Sequence, residues 1–473
     1  MTARRRTTVV LTVAALLSAC TGAADDAPGA TPQPGDTGPS DAQDTDEPDA
    51  AETTGPEAVD LPDSPVGRQL AWVLDTLADE PPADEAVWTE RFDEAFLGEV
   101  PVQQLRQVFS QFQADWTVTA YEEAPGGREG VATITEPGGS AFELLGIVEP
   151  GAPHRFTGLL FRPPTDPVEP PEDLDELAAR LDEAADTGVL LVADVVDGAC
   201  EPRHADDADA VVPIGSIFKL YVLGAVADAV AAGEVAWDDE VTVREERKSL
   251  PSGTLQDAPD GTPVSVREAA RAMIGISDNT ATDLLIDLVG REAVEAAQGD
   301  LGHHDPSLNV PFLTTRELFQ LKWQIGDDER AAYVADDADG RRAFLDDDLA
   351  ERPFDVEVAD VTTPTELETL EWFATAEDIC RAHAGLAERG GDDPVVREVV
   401  AANPGVAVDA SVWPYVGFKG GSEPGLMALS WYLESTGGDA QVLVTVAVDP
   451  EALLDDMTLV QLGSAGIDLL ARR

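Results

Sequence analysis

Ser216-Ile217-Phe218-Lys219 opens a long apolar run that continues through Leu220-Tyr221-Val222-Leu223-Gly224-Ala225-Val226. Read as a helix, it sets a hydroxyl and an amine one turn apart on one face. A lysine that is buried and neutral there can take the serine's proton, so Ser216 is a candidate nucleophile and Lys219 its candidate general base. Lysine is scarce enough to make the pairing informative. The chain has only four, Lys219, Lys248, Lys322 and Lys419, and no other has a serine three residues before it.

The 473 residues and 43% hydrophobic content suit two or three domains with real cores. A net charge of −62 repels phosphate, so nucleic acid is excluded as a partner. The same charge is repelled by an anionic membrane surface unless the chain is covalently held there. Residues 1–20 read as a targeting segment: Arg4, Arg5 and Arg6, then the apolar run Thr7 to Leu17, which is too short to span a bilayer. The segment ends in Leu17-Ser18-Ala19-Cys20. This ending resembles the lipobox of bacterial lipoproteins, which implies cleavage before Cys20, lipidation of that cysteine, and a lipid anchor on the outer face of the cell membrane. Two cysteines remain, Cys200 and Cys380; an exported context permits a disulfide, and two buried thiols fit the sequence equally well.

Residues 21–63 are rich in Ala, Asp, Pro, Gly, Thr and Glu with almost no large apolar residue, and read as a disordered acidic spacer. Residues 64–164 form a small domain. Helical spacing runs over 67–77, 83–97 and 102–116, and strand-like runs over 117–121, 130–135, 141–148 and 155–161. Helices followed by an antiparallel meander make an α+β unit, similar in pattern to the cone-shaped steroid-isomerase and nuclear-transport-factor domains. The unit has no paired carboxylate and tyrosine set of an enzyme, so it reads as a binding or docking domain. Residues 168–473 alternate differently: a helix over 171–185, a strand over 188–194, the Ser216 helix, helices over 265–276 and 282–289, strands over 416–419, 426–433 and 441–448, and a last helix over 459–470. Strands from both ends forming one sheet, with helices between, give an α/β sandwich with a helical subdomain. The acidic, weakly periodic segment of about 324–372 reads as an insertion.

Three pieces line up in order: Ser216-x-x-Lys219, Ser277-Asp278-Asn279 and Lys419-Gly420-Gly421. In this order, and with the phrase Arg271-Ala272-Met273-Ile274-Gly275-Ile276-Ser277-Asp278-Asn279-Thr280, the C-terminal part resembles the class A β-lactamase and penicillin-binding serine hydrolase superfamily. The phrase Pro311-Phe312-Leu313-Thr314-Thr315-Arg316-Glu317-Leu318, with Trp372-Phe373-Ala374, is similar to a two-domain actinobacterial subgroup. That subgroup includes the β-lactamase-like protein of clavulanic acid biosynthesis and mycobacterial lipoproteins. The resemblance implies a β-lactamase-like α/β fold and a catalytic set of Ser216, Lys219, Ser277 and Lys419. It implies an oxyanion hole from the backbone N–H groups of Ser216 and Ser422, and substrate contacts from Asn279, Gly420, Gly421 and Ser422. Asp278 is expected to brace its turn. Burial behind Ile214 and Phe218 and a second cation at Lys419 are expected to lower the Lys219 pKa against the acidic background.

Two departures shape the functional expectation. Gly420 stands where the lysine motif usually carries Thr or Ser, so a hydroxyl that would bind a substrate carboxylate is missing. The deacylating Glu of class A enzymes has no clear counterpart. Asp305-Pro306-Ser307-Leu308-Asn309 is the nearest text, and Asp305 is either a weak candidate for activating water or a cap on its own loop. His303 and His304 lack spaced partner ligands, so neither metal nor cofactor is expected. The expectation is a serine hydrolase acylated at Ser216, acting on a small β-lactam or an ester on such a ring, with slow deacylation. The alternatives are a D,D-carboxypeptidase or transpeptidase acting on cell-wall peptide, and a non-catalytic lipoprotein that binds cell-wall fragments. If Cys20 is lipidated, the wild-type chain will sediment with membranes of an expressing bacterium, and Cys20→Ser will move it to the soluble extracytoplasmic fraction.

Overall fold

The computed structural model describes residues 58–472 apart from 80, 94–95, 98–99, 124–125, 137–140, 163–167 and 251. Cys20, the targeting segment and most of the spacer lie outside the described residues. The chain divides between residues 166 and 167 into two compact units.

In the first unit, Ser64 caps the helix Pro65–Ala78, with a proline at its first position, where a missing N–H costs nothing. Helices Glu85–Arg91 and Val102–Gln111 follow. Strands β1 (Thr117–Glu123), β2 (Glu129–Thr135), β3 (Ala141–Val148) and β4 (Phe156–Arg162) form an antiparallel meander in sequence order. Both later helices are shorter than their apolar spacing suggests. Phe92 leaves its helix to bridge Phe156 of β4, and Trp116 folds back so that its indole N–H donates to the Phe112 carbonyl. The core is aromatic: the rings of Trp72, Trp88, Phe92 and Phe109 meet at centroid distances of 5.0–6.2 Å.

The second unit is built on one five-stranded antiparallel sheet. Its strands are β5 (Thr187–Val196), β6 (Ala199–Asp206), β11 (Tyr415–Glu423), β12 (Leu426–Glu434) and β13 (Ala440–Val448), in the order β11-β12-β13-β5-β6. Strand β6 is absent from the sequence reading because it is polar and contains Pro202. An edge strand tolerates both, and a register shift at Val192/Ala193 accommodates it. The small pairs are β7 (Val212–Pro213) with β10 (Phe373–Ala374), and β8 (Glu240–Thr242) with β9 (Pro263–Ser265). Alternate residues of the sheet face two cores. Leu190, Val192, Trp431 and Leu443 pack against the helices Leu174–Ala184 and Asp456–Ala471. Val189, Leu191, Val444 and Val446 face the larger core that holds the helix Lys219–Ala231. That helix is buried along most of its length, as an element apolar on all sides must be.

The acidic segment 324–372 is more integrated than an insertion need be. It forms helices Asp327–Ala335 and Ala338–Ala343 and a π-helical turn Phe344–Leu349. It also gives Tyr333, Leu345, Leu349, Leu367, Leu370 and Trp372 to the same core as the Ser216 region. Cys200 on β6 and Cys380 on the helix Ala376–Asp392 form a disulfide across 180 residues of sequence. A cross-link over so long a loop restricts the unfolded chain strongly. Replacing both cysteines with serine is expected to lower unfolding stability by about 2–4 kcal/mol, read from the urea midpoint against the oxidised wild type.

Candidate active site

The nucleophile region begins at Gly215–Phe218, a 3₁₀ turn rather than the first turn of the α-helix, which starts at Lys219. Gly215 has a φ of +46°, a left-handed conformation that glycine takes without strain. The turn sits against β11. A Cβ on Gly421 would lie 2.3 Å from the Ile214 carbonyl oxygen and 2.5 Å from the Ser216 nitrogen, so only glycine lets the strand come this close. A Cβ on Gly215 would in turn lie 3.2 Å from the Ser422 nitrogen. The backbone nitrogens of Ser216 and Ser422 therefore share one seam, the placement an oxyanion hole needs. Ser216 is half-buried and Ser422 exposed. Ser216 Oγ has no hydrogen-bond partner among the described residues.

The helix Val266–Gly275, started by a capping box of Ser265 and Glu268, delivers the second motif at its end. Ser277 is left-handed at φ +57°, a conformation that costs a non-glycine residue about 1–3 kcal/mol and gathers at functional sites. The next turn holds it there. Asp278 is fully buried, and its carboxylate accepts backbone N–H groups of Thr254, Leu255 and Ala281 at 2.7–2.9 Å, capping the helix Asn279–Val289. Asp278 is thus the brace expected of it.

Three motifs converge on one hydroxyl. Ser277 Oγ lies 3.0 Å from Lys219 Nζ and 3.0 Å from Lys419 Nζ. Lys219 also donates to the Ser277 carbonyl at 2.6 Å and to Asn279 Oδ1 at 2.7 Å, and Lys419 donates to the Gly420 carbonyl at 2.6 Å. Asn279 is held in turn by donating from its amide nitrogen to the Leu250 carbonyl at 2.9 Å. Neither lysine touches a carboxylate. Burial pushes the Lys219 amine down from 10.5 to about 7, in spite of the nearby Asp278 and Asp283, which favour its charged form. Burial, with Lys219 beside it, holds Lys419 well below the usual range as well. Ile214 and Phe218 are buried, and the Trp372 ring stacks on Phe218 at 3.7 Å, closing the apolar side. A neutral Lys219 gives its two protons to the Ser277 carbonyl and Asn279, so its lone pair faces its third partner, Ser277 Oγ, which is then the donor in that bond.

Behind Lys419 runs a chain that the sequence reading did not contain. Ser430 Oγ donates to the Lys419 carbonyl at 2.7 Å, so the His383 ring nitrogen 2.9 Å from that hydroxyl must be the donor. This places a proton on Nε2, and burial, which pushes the His383 pKa down to about 3, keeps the ring neutral. Lys322 was missed too. It is buried with Glu371 and Glu423, and its signal in the sequence was that it is one of only four lysines.

Gly420 has a packing reason. A Cβ there would stand 3.0 Å from Phe418 Cζ and 3.4 Å from Leu429 Cδ2. Asp305 is not brought to the network. Its carboxylate accepts the backbone N–H and hydroxyl of Ser307 at 3.1 and 2.5 Å, capping the turn Pro306–Asn309, and these bonds hold its pKa down. Asn309 is spent on the Phe373 backbone and Gln298. His303, His304 and Asp378 lie close enough to share a metal ion, but their ligand atoms are already engaged. His303 bonds the Phe373 carbonyl and the Asp305 N–H, and His304 Nδ1 bonds Asp378 at 2.6 Å. Asp378 also accepts from Thr375, the His304 N–H and Arg381.

Proton uptake by Lys219 gives two linked expectations. Covalent labelling of Ser216 by a penicillin should rise with pH through about 7, as the amine becomes neutral. Between that value and 10.5 the unfolded chain binds the extra proton, so this residue's contribution to stability rises with pH across that window and is lowest below 7. Lys219→Met should therefore abolish labelling and be more stable than wild type at pH 7, with the margin shrinking toward pH 10 in urea unfolding series.

Residues 173–369 match the family described as the β-lactamase enzyme family, and residues 61–149 match the N-terminal domain of the ORF 12 gene product. No curated protein sequence is significantly similar to the chain. A β-lactamase from Sphaerobacter thermophilus is 22% identical over 64% of this chain and 99% of its own, with a TM-score of 0.45. PBP-A is 16% identical over 65% and 100%, with a TM-score of 0.42, and a β-lactamase from Chitinophaga pinensis 14% over 63% and 98%, with 0.43. Residues 173–369, most of the second unit, thus match the β-lactamase enzyme family, and the three motifs lie together on one mixed α/β scaffold.

Proposed function

We propose that the second unit is a serine hydrolase that takes its acyl group on Ser216 and acts on β-lactams or on esters attached to such rings. The observation that carries this is Ser277 Oγ, held 3.0 Å from each of two buried amines whose pKa values burial lowers. Ser216 Oγ attacks the substrate carbonyl and passes its proton to Lys219. The oxyanion is received at the seam of the Ser216 and Ser422 nitrogens. As the C–N or C–O bond breaks, the proton moves from Lys219 through Ser277 to the leaving atom, and the acyl group remains as an ester on Ser216. Lys419, donating to Ser277 Oγ, lines the same site as a hydrogen-bond donor for the substrate, without the hydroxyl that Gly420 lacks.

Release of that ester is proposed to be slow, because no carboxylate among the described residues hydrogen-bonds to Ser216, Lys219 or Ser277. This observation also favours a second reading, a D,D-carboxypeptidase or transpeptidase on cell-wall peptide, in which a penicillin is a long-lived inhibitor. The lipid anchor at Cys20 and an extracytoplasmic location belong to the same proposal, since either substrate is met outside the cytoplasm. Intact-protein mass spectrometry after exposure to a penicillin should show one adduct of the whole drug on the wild type and none on Ser216→Ala. Asp305→Asn should leave the adduct's lifetime within about twofold. Loss of adduct from Ser216→Ala with digestion of muropeptides by the wild type would select the peptidase reading. An adduct on Ser216→Ala would overturn both.

A further inference from the structure

Of the four lysines, Lys219, Lys322 and Lys419 are 0–2% exposed, and only two of them belong to the motifs. Lys322 lies in a π-helical stretch, Gln320–Gln324, a local widening common at functional sites. Its side chain is fully buried, and its amine lies 2.7 Å from Glu371 Oε1 and also bonds Glu423. The side chains of Glu371 and Glu423 are 1% and 10% exposed.

Both carboxylates neighbour the nucleophile turn. Glu423 follows Ser422 on β11, and strand alternation puts its side chain on the face that carries Lys419 and Gly421, the face lying against Ser216. Glu371 precedes Trp372 and accepts its N–H at 3.1 Å. The Trp372 carbonyl accepts the Ile214 N–H at 2.9 Å, and its ring stacks on Phe218. One ammonium group thus ties together the two segments that flank Gly215–Phe218. Burial and the adjacent Glu371 hold the Glu423 carboxyl well above the usual range, against the opposing pull of Lys322.

We propose that Glu423, gripped by Lys322, is a positioning residue for acylation: it fixes the end of β11, and with it the Ser422 N–H, against the Ser216 turn. The proposal rests on Ser216 being the nucleophile. An oxyanion donor acts mainly on the transition state, so its displacement should slow the acylation step and leave prior binding of the drug nearly unchanged.

The test is a labelling time course with a fluorescent penicillin at several concentrations, which separates the binding constant from the acylation rate constant. Glu423→Met keeps the volume, breaks the tie and leaves Lys322 paired with Glu371, so the fold has no uncompensated buried charge. It should slow acylation by about 10- to 100-fold with binding changed by less than about threefold. Glu423→Gln, which can still accept from Lys322, should recover to within about threefold of wild type. The proposal is overturned if Glu423→Met acylates at the wild-type rate, if binding weakens as much as acylation slows, or if the Gln variant is as slow as Met. Ser216→Ala runs alongside. Labelling that persists in it, or a wild type that takes no label, overturns the nucleophile reading and this one together, a pattern unlike any of the Glu423 outcomes.

Discussion

A lysine amine without a carboxylate partner, deep in a protein with 92 acidic residues, is the constraint around which the second unit is arranged. Left on the surface, Lys219 would be an ordinary charged lysine. Its neutrality requires that water be kept out and that no acid approach closely. The stack of Trp372 on Phe218, the packing of β11 onto Gly215, and the turning of Asp278 toward three backbone N–H groups all serve that end. Asp278 and Asp283 are near enough to oppose the shift, yet each is engaged by hydrogen bonds of its own. Asp283 accepts the backbone and hydroxyl of Thr315 and the backbone of Arg316, fixing the start of the helix Thr315–Phe319. Acidity close to the site is thus used as structural capping.

Surface charge in this molecule follows another rule. Arginine makes almost all of the exposed ion pairs, often with two carboxylates, as Arg342 does with Glu292 and Glu295. Lysine is kept largely for the interior, where a compact amine can lose its proton and a guanidinium cannot. The few lysines are therefore a better guide to the site than the many acids.

The helix at 219, the order of the motifs and the strands β5, β11, β12 and β13 could be read from sequence because each has strong local periodicity or a fixed spacing. What could not be read depends on contacts distant in sequence. Strand β6 is too polar and too near a proline to register as a strand without its neighbour. His383 looks like any helical histidine until Ser430 is placed beside it, and Glu423 like any surface acid until Lys322 reaches it. The disulfide was one of two open readings of Cys200 and Cys380, and only the packing of the helix Ala376–Asp392 on the sheet decides between them. Asp305 had two readings as well, and its bonds to Ser307 are those of the cap.

Gly420 constrains substitution around it. The ring of Phe418 occupies the space that a side chain at 420 would enter, and it cannot easily retreat. It packs on Trp431 at 5.1 Å and already fills the volume that a Cβ on Gly405 would need. A side chain at 420 therefore needs the Phe418 ring to give by a few tenths of an ångström, and the packing around that ring resists the shift. Positions 418 and 420 are coupled through one shared space, and a side chain at 420 is accommodated best when residue 418 is smaller as well.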